Sequence, residues 1–287
     1  MLSALLGLLG TIVYGGSDFF GGLAAGRMRA ERVTAITSTV GLVLLAVAAL
    51  FFGADFSAGA LLWGLLAGVA GTAALVLLYG CLALGPMSIL APIMGLVSAV
   101  VPVTLAFLRG ERLSTQGYLG LALGLVAVIM ICFVPGRAVV RPSVKAIAMA
   151  VGAGLAVGMY LFFIDLSPAD SGMAPLIIVF IVSAGITWLA VLLRRAAGAR
   201  SAPAEGVARW RSGTALAVYA GVTDAAASIL FLAALRAGDL SVVSVLSALS
   251  PGGTILLAAL LLRERVAAVQ WTGLAIALAA AALLALA

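Results

Sequence analysis

A chain of 287 residues has room for one or two soluble domains, yet 65% of it is hydrophobic, only 9% is charged, and mean hydropathy is +1.30. That composition excludes a water-soluble protein and points to a lipid bilayer. The net charge of +6 would suit a nucleic-acid binder, but the basic residues are scattered over short loops and form no basic face, which excludes that partner too.

Apolar runs of about 20 residues, enough to cross roughly 30 Å of hydrocarbon, recur ten times: 3–25, 33–53, 60–81, 88–108, 116–134, 144–163, 173–193, 213–235, 241–262 and 268–287. Backbone groups cannot stay unpaired in lipid, so these spans are helices or strands of a closed barrel. Barrel strands alternate apolar and polar residues, and runs such as Leu42–Phe52 do not. The fold class expected is therefore an all-α integral membrane bundle. Met1-Leu2-Ser3 puts no basic region ahead of the first span, so that span reads as retained and not as a cleaved signal.

In the first span, Thr11, Tyr14 and Asp18 fall on one helix face, with Gly15 and Gly22 nearby. The third ends with Tyr79 and Cys81, and the fourth carries Pro92, Ser98 and Pro102. Turn formers from Val134 to Ser143 then divide the chain into halves at 1–138 and 139–287. The sixth span holds Tyr160, Phe162 and Phe163, and the seventh Trp188. In the eighth, Gly221, Asp224 and Ser228 share a face, with Phe231 beyond them. The ninth is rich in hydroxyls (Ser241, Ser244, Ser247, Ser250, Thr254) and is interrupted by Pro251-Gly252-Gly253, where the proline frees the carbonyl of Ser247.

Asp18 and Asp224 stand out among the charged residues as the pair deep within spans, and no Lys, Arg or His lies at their depth. A bare carboxylate there costs about 2.5–3.5 kcal/mol on insertion scales, so each must be protonated, hydrated in a cavity or matched to a bound cation. The bland alternative is a protonated Asp bonded to a neighbouring helix. With Thr11, Tyr14, Tyr79, Tyr160, Ser228, Ser244 and Ser247, they are the candidates for substrate binding or proton coupling. Pro92, Pro102, Pro251 and Gly252 are the candidate kinks, because broken helices at matching positions in two halves mark transport sites. Phe19, Phe20, Phe162, Phe163, Phe231 and Trp188 are candidates to line an apolar pocket, while Trp63, Tyr118 and Trp271 sit near span ends and read as interfacial anchors. Cys81 and Cys132 fall inside spans as inert packing residues, and two cysteines without histidine make no familiar zinc site, so no metal or cofactor is expected.

Residues 68–127 laid over 221–280 without a gap match at 18 of 60 positions. The uncommon matches carry the weight: Gly68/Gly221, Gly85/Gly238, Ser88/Ser241, Glu111/Glu264, Arg112/Arg265 and Gly120/Gly273. With five spans per half, the second half enters the membrane from the opposite side, so the repeats are expected to be inverted about an axis in the membrane plane. Loops after odd-numbered spans hold thirteen Lys and Arg, against three after even-numbered spans, which would place both termini outside. Glu111-Arg112 and Glu264-Arg265 read as helix-end salt bridges or loop locks.

Ala83-Leu84-Gly85-Pro86-Met87-Ser88-Ile89-Leu90-Ala91-Pro92, followed by Gly110-Glu111-Arg112-Leu113-Ser114, resembles the repeated signature of the drug/metabolite transporter superfamily, EamA type. Leu235–Ser241 and Ser250-Pro251 to Arg263-Glu264-Arg265 resemble a worn second copy. The resemblance covers essentially the whole chain. It implies ten helices in two inverted five-helix repeats around a central cavity, with alternating access for small organic solutes, often by proton-linked export across the inner membrane. Amino-acid exporters of the YddG kind are similar in size and layout. The expected partners are a small-molecule substrate, the bilayer and coupling protons, with the chain as a monomer. Two departures stand out: the first half has Ser98 where the second has Pro251, and Asp18 replaces the asparagine usual in the first helix. The family's frequent orientation also puts both termini in the cytoplasm, contrary to the loop charges. Of the rival readings, an intramembrane aspartyl protease fits poorly because Gly221-Val222-Thr223 precedes Asp224 in place of a Gly-x-Gly pattern, and a passive channel would need ring symmetry.

Overall fold

The computed structural model describes residues 1–84, 87–133, 143–197, 207–262 and 266–286. Within them the chain forms helices α1 (Leu2–Ala25), α2 (Ala30–Phe52), α3 (Ala58–Leu84), α4 (Met87–Leu108), α5 (Thr115–Cys132), α6 (Val144–Asp165), α7 (Ala174–Ala196), α8 (Val207–Ala237), α9 (Leu240–Ser247), α10 (Ser250–Leu261) and α11 (Ala268–Leu286). Nine stretches of the described residues are long and apolar enough to cross a membrane, α9 and α10 together making one, and Ile93–Leu108 in α4 adds a shorter apolar helix. The expected spans are thus helices, and the chain is a multi-pass membrane protein.

Local chemistry sets several boundaries. Ser114 Oγ accepts from the N–H of Gly117 at the start of α5, and Ser143 Oγ accepts from Ala146 at the start of α6, each at 3.2 Å. Pro175 sits in the first turn of α7, where a missing N–H costs nothing. The ninth span is two helices: α9 stops at Ser247 and α10 starts at Ser250, with Pro251 in its first turn. α4, by contrast, runs unbroken through Pro92 and Pro102, so the matching break expected in the first half is not there.

α1 packs along α8 and α3 along α6; α2 packs along α7 and α5 along α11; α4 lies against α6, and α1 against both α9 and α10. α2 and α7 run antiparallel, since Glu31 pairs with Arg194 at 3.3 Å and Ser38 bonds Ser183 at 2.9 Å. α5 and α11 do so too. A methyl on Gly120 would come within 2.9 Å of Leu284, and one on Gly273 within 2.8 Å of the Ile131 nitrogen. Adding 153 to 120 gives 273, and adding it to 131 gives 284, so these two contacts exchange under the sequence repeat. Helix crossings follow suit. A Cβ on Gly15 would lie 2.6 Å from Gly253 Cα, where α1 crosses α10; one on Gly158 would lie 2.9 Å from Pro102 and 3.0 Å from Val101, where α6 crosses α4. The proposed division at 138/139 falls within residues 134–142, outside the described residues.

One end of the bundle gathers the N-terminus and the even-numbered loops. Ala54 bridges Gly172, Met173 N–H donates to Gly53 O at 2.9 Å, Arg236 donates to Gly172 O at 2.6 Å, and Ser3 Oγ donates to Ala234 O at 2.9 Å. Arg109 pairs with Asp165 at 2.5 Å at this same end.

Gly15→Leu should overpack the α1–α10 crossing and destabilise the protein by about 1–3 kcal/mol. Gly22→Ala, with nothing within 4 Å of its Cβ, should leave the thermal midpoint in detergent unchanged. Equal midpoints for the two variants would remove the crossing from the account of stability.

Candidate functional site

The break in the ninth span is held from outside. Thr11 on α1 is buried, and its hydroxyl reaches Gly7 O at 2.8 Å and Leu246 O at 2.7 Å. Leu246 O also accepts from Leu249 N–H at 3.0 Å. Where a helix stops in lipid its last carbonyls need donors, and Thr11 supplies one. The structure therefore places Thr11 in a helix contact and not at an open site. Ser244 is fully buried and bonded to Leu240 O at 2.6 Å, while half-buried Ser247 donates to Ser244 O at 2.9 Å, beside the break. Gly252 faces α11 and Ile131, and Pro102 is buried under Gly158.

Two turns beyond Thr11 on the same face of α1, Asp18 is exposed although it lies about two turns inside the helix. Asp224 on α8 is close enough to act on it electrostatically, and on Tyr160 of α6 as well. The Tyr160 hydroxyl shares a hydrogen bond with buried Ser228, one turn beyond Asp224 on α8. Tyr14, one turn before Asp18, meets the Phe231 ring edge-on at 6.0 Å and 63°. Helices α1, α6 and α8 thus converge on a polar cluster of Asp18, Asp224, Tyr160 and Ser228, walled on one side by Tyr14 and Phe231. Carboxylates, phenol and hydroxyl offer acceptors for an amine and donors for a carboxylate. Among the described residues no three His, Cys, Asp or Glu side chains gather as a metal site. The side chains of Tyr79 and Pro92 lie outside the described residues.

Most of the aromatic candidates go elsewhere. Trp188 is 40% exposed and donates to Thr39 Oγ1 at 3.0 Å on the α2–α7 flank. Phe163 stacks on Trp63 at 6.0 Å, and Phe162 lies under the Arg109 guanidinium at 5.8 Å, both near the N-terminal end of the bundle. Tyr118 packs on Phe107 at 5.7 Å, and Phe19 and Phe20 meet each other and, through Phe20, Tyr219. Cys132 is free and buried, as packing demands.

Sequence reading missed two links. Arg109–Asp165 joins α4 to α6 across the halves, and Glu111 reaches Ser241 at the start of α9, bypassing its neighbour Arg112, which is exposed. The doubled match of Glu111/Glu264 and Ser88/Ser241 was the available signal for the second. Residues 263–265 lie outside the described residues.

The sequence matches the model of the EamA-like transporter family over residues 1–133 and again over 144–286. No curated protein matches it. A solved structure described only as a crystal structure of a protein superposes with a TM-score of 0.70 at 20% identity, over 99% of this chain and 97% of that one, a likeness of fold.

Thr11→Val keeps the shape of the α1–α9 contact and removes the hydroxyl from Leu246 O. It should cost about 0.5–1.5 kcal/mol, read as a lower thermal midpoint, whereas Thr104→Val, exposed and bonded only to its own helix at Val100 O, should not move it.

Proposed function

The chain belongs to the EamA-like transporter family, and we propose that it carries small organic solutes, amino acids first and cationic or aromatic drugs second, across the inner membrane by alternating access, as an exporter. The family points to transport and not to catalysis. The observation that carries the substrate reading is the convergence of Asp18, Asp224, Tyr160 and Ser228 from α1, α6 and α8 without a basic side chain at their depth. Two carboxylates that repel each other at membrane depth favour whatever brings positive charge. A proton does so, and so does a substrate ammonium. Tyr160 and Ser228 would orient the rest of the solute, and Tyr14 with Phe231 would pack its apolar part. Thr11 acts through α9 as a positioning residue.

Alternating access needs two halves that rock about a shared site. The helix pairing supports it: exchanging the first five spans for the last five turns α1–α8 into α6–α3, α2–α8 into α7–α3, and α1–α9/α10 into α6–α4, all of them extensive contacts in the bundle. The antiparallel α2–α7 and α5–α11 pairs support inversion, because each joins equivalent helices. α4 and the broken α9–α10 are then the gating elements, and one monomer holds a complete site.

In proteoliposomes, Asp18→Asn and Asp224→Asn should each lower saturable amino-acid uptake about tenfold or more and flatten its response to a pH gradient. Unchanged uptake and pH dependence in both would remove the carboxylates from the mechanism. Membrane-impermeant thiol labelling tests the topology. Loop charge predicts that Arg195→Cys reacts only from the cytoplasmic side and Arg112→Cys only from the other. Reaction of both from one side would overturn the inverted arrangement.

A further inference from the structure

At the N-terminal end of the bundle, α4 closes in a tight turn. Gly110 N–H donates to Phe107 O at 3.0 Å and Glu111 N–H to Ala106 O at 3.1 Å, with Gly110 at φ 90°, a conformation that favours glycine. This turn aims Glu111 at α9. Asp239, the residue capping α9, makes no side-chain cap bond, so the first turn of α9 lacks its own acceptor. Glu111 Oε1 fills the role from the other half of the chain, accepting from Ser241 N–H at 3.2 Å and from Ser241 Oγ in a second, shorter bond. A carboxylate at a helix start also meets the positive end of the helix dipole. Beside this contact a cavity of about 330 Å3 opens, lined by Arg109, Glu111, Asp165 and Asp239 among others.

We propose that Glu111 and Ser241 form a latch that closes this face of the transporter and releases each time the central site opens toward it. The proposal rests on the alternating-access reading. Glu111 and Ser241 belong to matched pairs in the sequence repeat, with Glu264 and Ser88 as counterparts; the counterpart side chains lie outside the described residues.

The groups facing Glu111 are Arg109 in the same turn after α4, Asp165 on α6, Asp239 in the α8–α9 turn and Ser241 on α9. Arg109 is held by Asp165, and Arg236 on α8 turns to Gly172 O. Burial pushes the Glu111 carboxyl above its ordinary range, the Ser241 bonds oppose the shift, and Asp239 and Asp165 add to it. Released into water, the carboxyl returns to its ordinary value, so closing takes up protons. Lowering the pH through the raised value therefore favours the closed latch, and raising it favours release.

Spin labels at Arg112→Cys and Ala237→Cys, both exposed, with Cys81→Ala and Cys132→Ala, report the opening as a distance distribution in lipid nanodiscs. The parent should show a dominant short distance. Glu111→Ala should raise the long-distance population about threefold or more, within the range for loss of a hydrogen bond. Glu111→Gln, which keeps the acceptor, should resemble the parent but lose its pH response. Ser241→Ala should shift the distribution less than Glu111→Ala, and the double variant no further than Glu111→Ala alone. Distributions for Glu111→Ala and Ser241→Ala that superimpose on the parent's overturn the latch whatever uptake shows. Additive shifts, or a pH response kept by Glu111→Gln, overturn it as well. Amino-acid uptake measured on the same preparations tests the transport reading separately: a parent that shows the expected distances but no uptake keeps the latch and loses the substrate.

Discussion

Helices in a bilayer gain nothing from hiding apolar surface, because lipid tails are as apolar as leucine. They associate where backbones approach closely and where polar groups bond across the gap. This chain meets that constraint with glycines at helix crossings. Gly15 against Gly253 and Gly158 against Pro102 let α1 touch α10 and α6 touch α4 at nearly backbone distance. Those crossings fix the rotation of α1 and α6 about their own axes. With Gly15 turned to α10, Asp18 at about 60° further round the helix is left clear of the crossing, on the side where α8 brings Asp224.

The same constraint explains how a helix can be broken at membrane depth. Pro251 ends the ladder of the ninth span, and unpaired carbonyls there would each cost several kcal/mol in lipid. Leu246 O instead accepts from Leu249 N–H and from Thr11, and Gly252 N–H returns to Leu249 O at 2.8 Å. α4 faces a similar difficulty at Pro102, yet it stays one helix, packed tightly along α6 at Gly154 and Gly158. Only in the second half do the proline and the two glycines after it coincide, and only there does the helix part.

The spans were legible because hydrophobic length is a one-dimensional property, and the two aspartates because a charge inside a span is costly wherever it points. Tyr160 and Ser228 were readable as candidates, but their bond joins α6 to α8 and has no sequence signature. Several of the aromatic candidates lie away from the polar cluster for a related reason. Phe162, Phe163 and Trp188 occupy apolar helices whose rotation depends on glycine contacts elsewhere, so Trp188 turns outward to Thr39 and Phe162 lies under Arg109. Thr11 shares a face with Asp18, as the helical period requires, but that face is covered by α9 at one depth and open at the other. Periodicity fixes a face, not what covers it.

α9 ties these observations together. Its eight residues span about 12 Å. Its first turn is held by Glu111 from the end of α4, and its last by Thr11 from the middle of α1. Beyond it the break at Ala248 and Leu249 separates it from α10, so α9 is a short rod of its own. Held by Glu111 at one end and by Thr11 at the other, both from the first half, such a rod would link the bundle face to the level of Asp18, two turns from Thr11 along α1. Charge arriving at the aspartates and closure at the face would then be felt through one element, and a proline that breaks the ninth span is what makes that element separate.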